Sequence, residues 1–128
     1  MIAGIGVDAV DIARVAAFVN SKGERAMRRV LTDDEVRYCQ GKADVARHVA
    51  ARIAAKEAAF KALSGSDGAR AIGWREIEVL SDHNGRPSLA LHGRASMRAR
   101  ELGVARHWLS LTHSDTVAIA FVVLESAG

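Results

Sequence analysis

Apolar residues recur at helical spacing through the middle of the chain, and this pattern predicts a long helix, capped by Asp44, that runs to about Leu63. Eight of residues 44–63 are alanine, which favours helix and lets other backbones approach closely. Glu57 falls on an apolar side of this helix, and Lys61 follows one turn later. Because a bare buried carboxylate is costly, Glu57 is expected to be paired, protonated or bound to a metal.

The same spacing predicts shorter helices on both sides of the long one. Residues 10–18 form a helix, the Lys-Gly pair at 22–23 breaks it, and residues 24–30 continue as a second helical piece. Residues 32–38 open with a capping box, in which a threonine caps the first turn and a glutamate reaches back. A further amphipathic helix is predicted over residues 93–102.

Alternating or continuously apolar runs predict five strands. They are expected at residues 2–8, 77–80, 86–91, 108–112 and 116–124, with turns at 82–85 and 113–115 and a loop at 64–68. Because helices and strands are grouped along the chain, the predicted fold class is α+β. The chain is expected to form a single domain, residues 1–128, with the long helix packed on a small antiparallel sheet.

The composition is that of an ordinary globular protein, with 49% hydrophobic and 26% charged residues. Aromatic residues make up 5%, too few for base-stacking platforms, so nucleic acid is not an expected partner. Cys39 is the only cysteine, which excludes an internal disulfide and fits a reducing compartment. No leader pattern or membrane-spanning apolar run is apparent, so the expected location is the cytoplasm, without a membrane partner.

The positive charge is concentrated in one segment. The formal net charge is +3, yet residues 22–29 alone carry four bases and a single acid. Such a patch suits an acidic protein, a phosphate-bearing ligand or nucleic acid, and it is equally compatible with an ordinary solvated helix face. The patch consists of Lys22, Arg25, Arg28 and Arg29, interrupted by Glu24.

Two acids are the first candidates for chemistry. Asp8 is predicted at the end of the first strand, where it could bind a ligand or simply cap the following helix. Glu57 could bind a metal or pair with Lys56 or Lys61. Together, a strand-end aspartate and a helix glutamate flanked by lysine are typical of a magnesium site for phosphate chemistry, since Mg²⁺ is usually held by one or two carboxylates.

His113 is the most suggestive of the five histidines because hydroxyl residues surround it in Ser110-Leu-Thr-His113. It could orient a phosphate or an adenine ring, and a structural hydrogen bond would explain it as well. His48 is expected at the surface of the long helix. The chain carries no hydrolase triad order, paired-cysteine zinc motif or phosphate-binding glycine-rich loop, so those chemistries have no support.

Five segments in register resemble the holo-[acyl-carrier-protein] synthases, small 4′-phosphopantetheinyl transferases. The opening segment runs from Gly4 to Arg14, and the defining helix motif runs from Ala51 to Leu63 around Lys56-Glu57. The resemblance covers residues 4–125, with Leu31 and Ile53 standing where members often carry aromatic residues. The other matching segments are Leu31-Thr32 with Glu35 and Tyr38, Asn84 to Pro87, and Ser110 to His113.

The resemblance implies a reaction in which the phosphopantetheine arm of coenzyme A moves to a serine of apo acyl carrier protein, with Mg²⁺, leaving 3′,5′-ADP. It implies that Asp8 and Glu57 bind the metal and that Lys61 contacts the transferring phosphate. Glu57 or a metal-bound water would take the serine proton. Coenzyme A would be held by Arg52, Lys56, Lys61, Gly65, Pro87, Thr112 and His113.

The resemblance also implies an acidic partner, the acyl carrier protein, and a homotrimer whose active sites are shared between subunits. The resemblance implies a role in fatty acid biosynthesis, while the residues leave open whether the carrier serves fatty acid or polyketide synthesis. The carrier would dock on Arg14, Phe18, Arg25, Arg28 and Arg29, with Met27 adding an apolar centre. The alternative that the residues leave open is a non-catalytic basic module that binds an acidic protein or nucleic acid through residues 22–29.

Overall fold

The computed structural model describes residues 1–128 and contains two antiparallel sheets and five helices. The larger sheet has the strand order β1-β5-β4, and the smaller one is the hairpin of β2 and β3. The strands are β1 (Ile2–Asp11), β2 (Ile77–Ser81), β3 (Pro87–Leu91), β4 (Val104–His113) and β5 (Val117–Ser126). The helices are α1 (Ile12–Val30), α2 (Asp33–Gln40), α3 (Val45–Leu63), α4 (Asp67–Arg70) and α5 (Gly93–Glu101).

Helix α3 is the centre of the molecule and lies against the larger sheet. The alanine-rich stretch is buried here, and two glycines of β1 allow the strand to pass directly over it. A Cβ on Gly4 would collide with the carbonyl oxygen of Ala62, and a Cβ on Gly6 with that of Ala58. The small residues on both elements therefore bring the backbone of β1 into contact with α3.

The helix ends follow the expected local chemistry, with one shift. The predicted break falls where Gly23 adopts a φ of 75° inside α1, a conformation that favours glycine. The predicted capping box is confirmed, since Thr32 accepts from the Glu35 amide and Glu35 accepts from the Thr32 amide. The predicted start at Val10 was wrong, because β1 continues to Asp11, which caps the helix itself.

The α+β class is confirmed, and the structure adds details that the pattern missed. The predicted strands lie in two sheets, and β4 begins four residues before the predicted start at Trp108. The predicted loop after α3 contains the short helix α4, capped by Ser66. A 3₁₀ turn, Trp74–Glu76, leads into β2. Among the helices, none has both the length and the apolar character that crossing a bilayer requires.

One face of the larger sheet carries large apolar side chains that no helix covers. The register aligns Val7 with Phe121, and Ile119 with Thr112, so these residues point to the same side of the sheet. That side faces away from α3, because the buried alanines and valines of β5 alternate with it. The exposed apolar residues of this face are Ile5, Val7, Trp108, Ile119 and Phe121.

Candidate active site

The close contact between β1 and α3 brings the two candidate acids and a lysine together. Asp8 lies two residues beyond Gly6 on the same side of β1, which faces α3. Lys61 reaches across from α3 and donates from Nζ to Asp8 Oδ1 at 3.0 Å and to the Val7 carbonyl at 2.9 Å. Glu57, one turn before Lys61, lines the same pocket as Asp8.

The charge of Asp8 opposes the ionisation of Glu57. Burial raises the pKa of Glu57, the neighbouring Asp8 raises it further, and Lys61 opposes both effects. Glu57 forms no ion pair, because Lys61 pairs with Asp8, and Lys56 pairs with Glu35. A half-buried carboxylate without a cation of its own, beside a second carboxylate, has the chemistry of a divalent-cation site. The alternative in which Glu57 is simply paired with a lysine was wrong.

Asp8 does not have the capping role that the sequence left open. It lies within β1, three residues before the strand ends, and the cap of α1 is the Oδ1 atom of Asp11, which accepts from the Ala13 amide at 3.0 Å. Because the Asp8 carboxylate does not accept a hydrogen bond from the first turn of α1, it can face Glu57 and Lys61. No third carboxylate, histidine or cysteine joins the pair in a cluster that could hold a metal.

Two pockets flank Glu57, and one aromatic side chain lines both. The larger, about 730 Å³, is bounded by Phe60, by Gly65 in the loop after α3, and by α4. The second, about 450 Å³, contains Asp8 and extends along α1 past Arg14 and Phe18. Trp74 lines both pockets, and its ring packs edge-on against Phe60 with centroids 5.1 Å apart. The two pockets therefore meet at Glu57 and Trp74.

A third pocket, about 210 Å³, is lined by basic and hydroxyl side chains and by none of the residues that line the other two. Arg52 is only 3% exposed and has no carboxylate partner, and its Nε atom has no hydrogen-bond acceptor. Its guanidinium stacks on Tyr38, 4.1 Å from the ring centroid. A buried cation without a counter-ion indicates a site for an anion. Pro87, Thr112 and His113 also line this pocket, as do Arg47 and His48.

His48 was predicted at the surface, and that prediction needs correction. The ring is half-buried, packs edge-on against Tyr38 and faces the third pocket. Burial lowers the pKa of His48, and the nearby Arg52 and Arg47 lower it further. The side chain therefore belongs to the basic lining of this pocket rather than to a solvated helix face.

The residues expected to hold coenzyme A separate into two groups within one copy of the chain. Lys61 and Gly65 lie on the Glu57 side, while Arg52, Pro87, Thr112 and His113 line the third pocket. Arg52 precedes Glu57 by five residues, which rotates it about 140° around the α3 axis. The single chain therefore does not bring the whole predicted set together.

Lys56 is placed where it cannot contact a ligand. Its side chain is 0% exposed, and Nζ donates to the carbonyls of Trp74 and Ile77 and pairs with Glu35 at 2.8 Å. All three N–H donors are thus used inside the protein. The structure corrects the expectation that Lys56 binds coenzyme A, because the period of a helix gives the side on which a residue lies but not its depth.

The predicted docking residues lie along α1, on both sides of the bend at Gly23. Arg14 and Phe18 border the pocket that contains Asp8, whereas Arg25 and Arg29 are exposed and lack ion pairs. Arg28 is committed to Asp33 at 2.7 Å and to Glu24 at 3.6 Å. Met27 is 3% exposed and packs in the core, so the expectation that it adds an apolar centre to a docking surface was wrong.

Sequence reasoning missed three side chains that shape these pockets, namely Trp74, Arg47 and Tyr38 as the stacking partner of Arg52. Trp74 stands in a short segment without periodicity, and nothing in the local pattern relates it to Glu57. Helix period does not relate Arg47 to Arg52 either, because five residues place them about 140° apart around the α3 axis.

Comparison with known proteins shows the family of the chain. The family model of the 4′-phosphopantetheinyl transferase superfamily matches residues 4–122. A holo-[acyl-carrier-protein] synthase of Herpetosiphon aurantiacus is 52% identical over 92% of this chain and 94% of its own length. The crystal structure of the Neisseria meningitidis synthase superposes with a TM-score of 0.85, at 30% identity over 98% of this chain and 100% of that one.

A second solved structure includes a ligand. The holo-(acyl-carrier-protein) synthase of Bacillus anthracis, in complex with CoA (3′,5′-ADP), superposes with a TM-score of 0.79 at 32% identity, over 99% of each chain. The chain belongs to the 4′-phosphopantetheinyl transferase superfamily and, within it, to the holo-[acyl-carrier-protein] synthases. It is therefore an enzyme, a transferase.

Proposed function

We propose that this enzyme transfers 4′-phosphopantetheine from coenzyme A to a serine of an apo acyl carrier protein, with Mg²⁺ as cofactor and 3′,5′-ADP as the second product. The serine oxygen attacks the β-phosphorus, the bond from that phosphorus to the bridging oxygen breaks, and the electron pair leaves with 3′,5′-ADP. The observation that carries the proposal is the meeting of Asp8 and Glu57 in one pocket, with Lys61 paired to Asp8 beside them.

The donor set fits a magnesium ion. Asp8 and Glu57 supply two carboxylates, which matches the number by which proteins usually hold Mg²⁺ when substrate phosphates complete its coordination. When bound, the ion would neutralise charge that develops on the pyrophosphate. The Lys61 ammonium is fixed by the Val7 carbonyl and lies beside Asp8, so it would stabilise charge on the transferring phosphate without reorganising.

Glu57 is the candidate base for the serine proton. Burial and the Asp8 charge raise the pKa of Glu57, and the absence of an ion pair leaves its oxygens available. A bound cation would oppose this rise, so the base role falls to an oxygen of Glu57 that the ion does not engage. Transfer of the serine proton to a metal-bound water is the alternative that the sequence also left open.

Coenzyme A carries phosphates at both ends of its nucleotide, and the two groups of residues described above supply cations for both. We assign the pyrophosphate to Lys61 and the loop at Gly65, and the 3′-phosphate or adenine to Arg52, Pro87, Thr112 and His113. Arg52 supports this, because it is buried without a carboxylate partner, and an incoming phosphate would provide its missing counter-ion and hydrogen-bond acceptor.

A homotrimer with shared active sites would reconcile the separation of these groups. If the Glu57 side of one subunit faces the third pocket of the next, the two halves form one site. The uncovered apolar face of β1, β5 and β4 supports an interface between copies, and Thr112 lies on that face at its margin. A heterologous contact repeated three times closes into a ring and gives three equivalent sites.

The carrier protein would dock along α1. Arg14 and Phe18 border the pocket that contains Asp8, so a helix of an acidic partner placed there would present its serine to the carboxylate pair. Arg25 and Arg29 are free to meet acidic side chains, while Arg28 would first have to leave Asp33. Binding of the carrier is expected to weaken as the salt concentration rises. The arginines are expected to increase the association rate more than the affinity.

The proposed setting is the cytoplasm, in fatty acid biosynthesis. The single free thiol, Cys39, suits a reducing compartment, and the acyl carrier protein is the acceptor that the relatives' names indicate for those proteins. Membership of a transferase family weighs against the alternative of a non-catalytic basic module, which gives no reason for acids at both positions 8 and 57.

The test is incubation of the enzyme with coenzyme A, Mg²⁺ and an apo carrier protein, followed by intact-mass analysis. The expected result is a gain of the phosphopantetheine mass on the carrier and release of 3′,5′-ADP in equal amount. A carrier whose acceptor serine is replaced by alanine is the matched control, and chelation of the metal should stop the reaction. No mass gain at any metal or salt concentration would contradict the proposal and favour the basic module.

A further inference from the structure

Lys56 uses all its donors inside the protein, yet it is adjacent in sequence to the central acid of the site. We propose that Lys56 is a positioning residue, which holds the Trp74–Glu76 turn on α3 so that Trp74 stays beside Glu57 in the active site. The inference rests on the proposed transfer reaction for its kinetic readout. It differs from the role that the family resemblance implied, which was a direct contact with coenzyme A.

The ammonium of Lys56 binds both ends of the turn. Nζ donates to the carbonyl of Trp74, the first residue of the 3₁₀ turn, at 2.8 Å, and to the carbonyl of Ile77, just after its end, at 2.6 Å. Two contacts at the two ends fix the position and the direction of a short segment, which has little regular structure of its own to do so. One side chain therefore anchors the whole turn on α3.

The anchored 3₁₀ turn fixes the position of the Trp74 indole. Trp74 packs edge-on against Phe60, which also belongs to α3, and it forms a wall of both pockets that meet at Glu57. Phe60 and Lys56 lie one turn apart on the helix, so the indole and the backbone of the same residue are each held by α3. If the backbone anchor is lost, we expect the indole to shift and the boundary between the two pockets to move.

The third partner of Lys56 explains why a charged group can serve as a buried anchor. Glu35 is 2% exposed, pairs with Nζ, and accepts from the amides of Thr32 and Val79. Burial lowers the pKa of Lys56, and the Glu35 charge opposes that lowering. The ammonium thus keeps three N–H donors, one for Glu35 and one for each carbonyl of the turn.

The test compares two variants that break the same buried ion pair but differ in the anchor. Lys56→Met removes the ion pair and both carbonyl contacts, whereas in Glu35→Gln even a neutral Lys56 amine retains two N–H donors, one for each carbonyl. Both variants are expected to lower the denaturation midpoint. Only Lys56→Met is expected to lower kcat, by roughly 10- to 100-fold, with KM for coenzyme A changed by less than about twofold.

Fluorescence supplies a readout that does not depend on activity. The chain has two tryptophans, so a Trp108→Phe background leaves Trp74 as the only emitter. In that background, Lys56→Met is expected to shift the Trp74 emission maximum, and Glu35→Gln is expected to leave it in place. An equal loss of kcat in both variants would overturn the inference, as would a rise of KM for coenzyme A with kcat unchanged, or wild-type kinetics in Lys56→Met.

If Lys56→Met does not fold, the double variant Lys56→Met with Glu35→Gln replaces it, because removing both buried charges together spares the protein an unpaired one. The same loss of kcat and emission shift are expected. Should neither fold, Trp74→Ala decides: a comparable loss of kcat in a folded protein supports the inference, and wild-type kcat overturns it. Wild-type enzyme that transfers nothing would refute the proposed function, whereas the Trp74 emission would still test the anchor.

Discussion

At the residue scale, the site keeps two like charges together at a cost to the fold. Asp8 and Glu57 are held by contacts that involve neither carboxylate, namely the glycine contacts of β1 on α3. Lys61 neutralises one of the two charges and leaves the other without a partner. This arrangement favours the binding of a cation over the stability of the empty protein, which is a common compromise in active sites.

Replacing either acid by its amide should therefore remove activity without harming the fold. We expect Asp8→Asn and Glu57→Gln each to lower the rate of transfer by at least about a hundredfold, because each removes a charge that holds the cation at the reacting phosphate. The matched control is Glu101→Gln, whose carboxylate pairs only with Arg98 on α5. Retained transfer in either site variant would contradict the assigned metal pair.

The pH dependence of stability tests the repulsion between the acids. The pKa of Glu57 is raised in the folded state, so its stabilising contribution is present below its ordinary value of 4.5 and is lost as the pH rises through the raised value. Gln at this position does not titrate. In metal-free buffer, Glu57→Gln should therefore be more stable to urea than wild type at neutral pH. That advantage should disappear in acid, and a constant difference would argue against the repulsion.

At the element scale, the contact between β1 and α3 decides where Asp8 lies. Gly6→Ala would force a methyl group into the carbonyl of Ala58, and the backbone of a central helix cannot move away cheaply. We expect a loss of about 3 kcal/mol or more in the free energy of unfolding, measured by chemical denaturation. Gly41→Ala is the control, because Gly41 has a φ of −79° and space for a methyl group, so little change is expected.

Element boundaries show what the sequence can and cannot predict. The break at Gly23 and the capping box at Thr32 were predictable because their causes are local, a positive φ and reciprocal side-chain hydrogen bonds. The burial of Lys56 was not predictable, because its partners are distant in sequence. Two are the carbonyls of Trp74 and Ile77, which lie 18 and 21 residues later, and the third is Glu35 in α2. Met27 was misplaced for the same reason, since only tertiary packing distinguishes a buried face from an exposed one.

The residues of the candidate site also divide into those that the sequence predicts and those that depend on tertiary packing. Asp8, Glu57 and Lys61 could be proposed from residue types and from the family resemblance, and their convergence depends on glycines that the sequence displays. The contribution of Trp74 could not, because it depends on how a short turn is anchored on α3. The separation of Arg52 from Glu57 is a consequence of helical geometry, yet without the pockets around them the spacing has no evident meaning.

At the scale of the whole molecule, the single thiol provides a measure of global opening. Cys39 lies on the buried face of α2 and is fully buried, and this burial raises its pKa to about 11. The native thiol should therefore not react with a thiol reagent at mildly alkaline pH, and labelling should proceed at the rate of unfolding. Labelling that is fast and independent of denaturant would show that α2 opens locally. The same reaction on protein unfolded in urea is the control for reagent activity.

The apolar face of the larger sheet and the separation of the two residue groups lead to the same expectation for the assembly. If each site combines the Glu57 side of one subunit with the third pocket of the next, two defective variants can complement each other. Glu57→Gln removes a carboxylate from the first half, and His113→Ala removes an imidazole from the second. Each variant assayed alone should therefore be inactive or impaired.

Mixing the two variants separates a shared site from a site within one subunit. After unfolding and refolding an equal mixture, random assembly leaves about a quarter of the sites with both halves intact, because each half is sound in half of the subunits. We therefore expect transfer at about a quarter of the wild-type rate per subunit, together with the mass of a trimer. A mixture no more active than the average of its components would place each site within one subunit, because a chain that carries one defect cannot then be repaired by its neighbour.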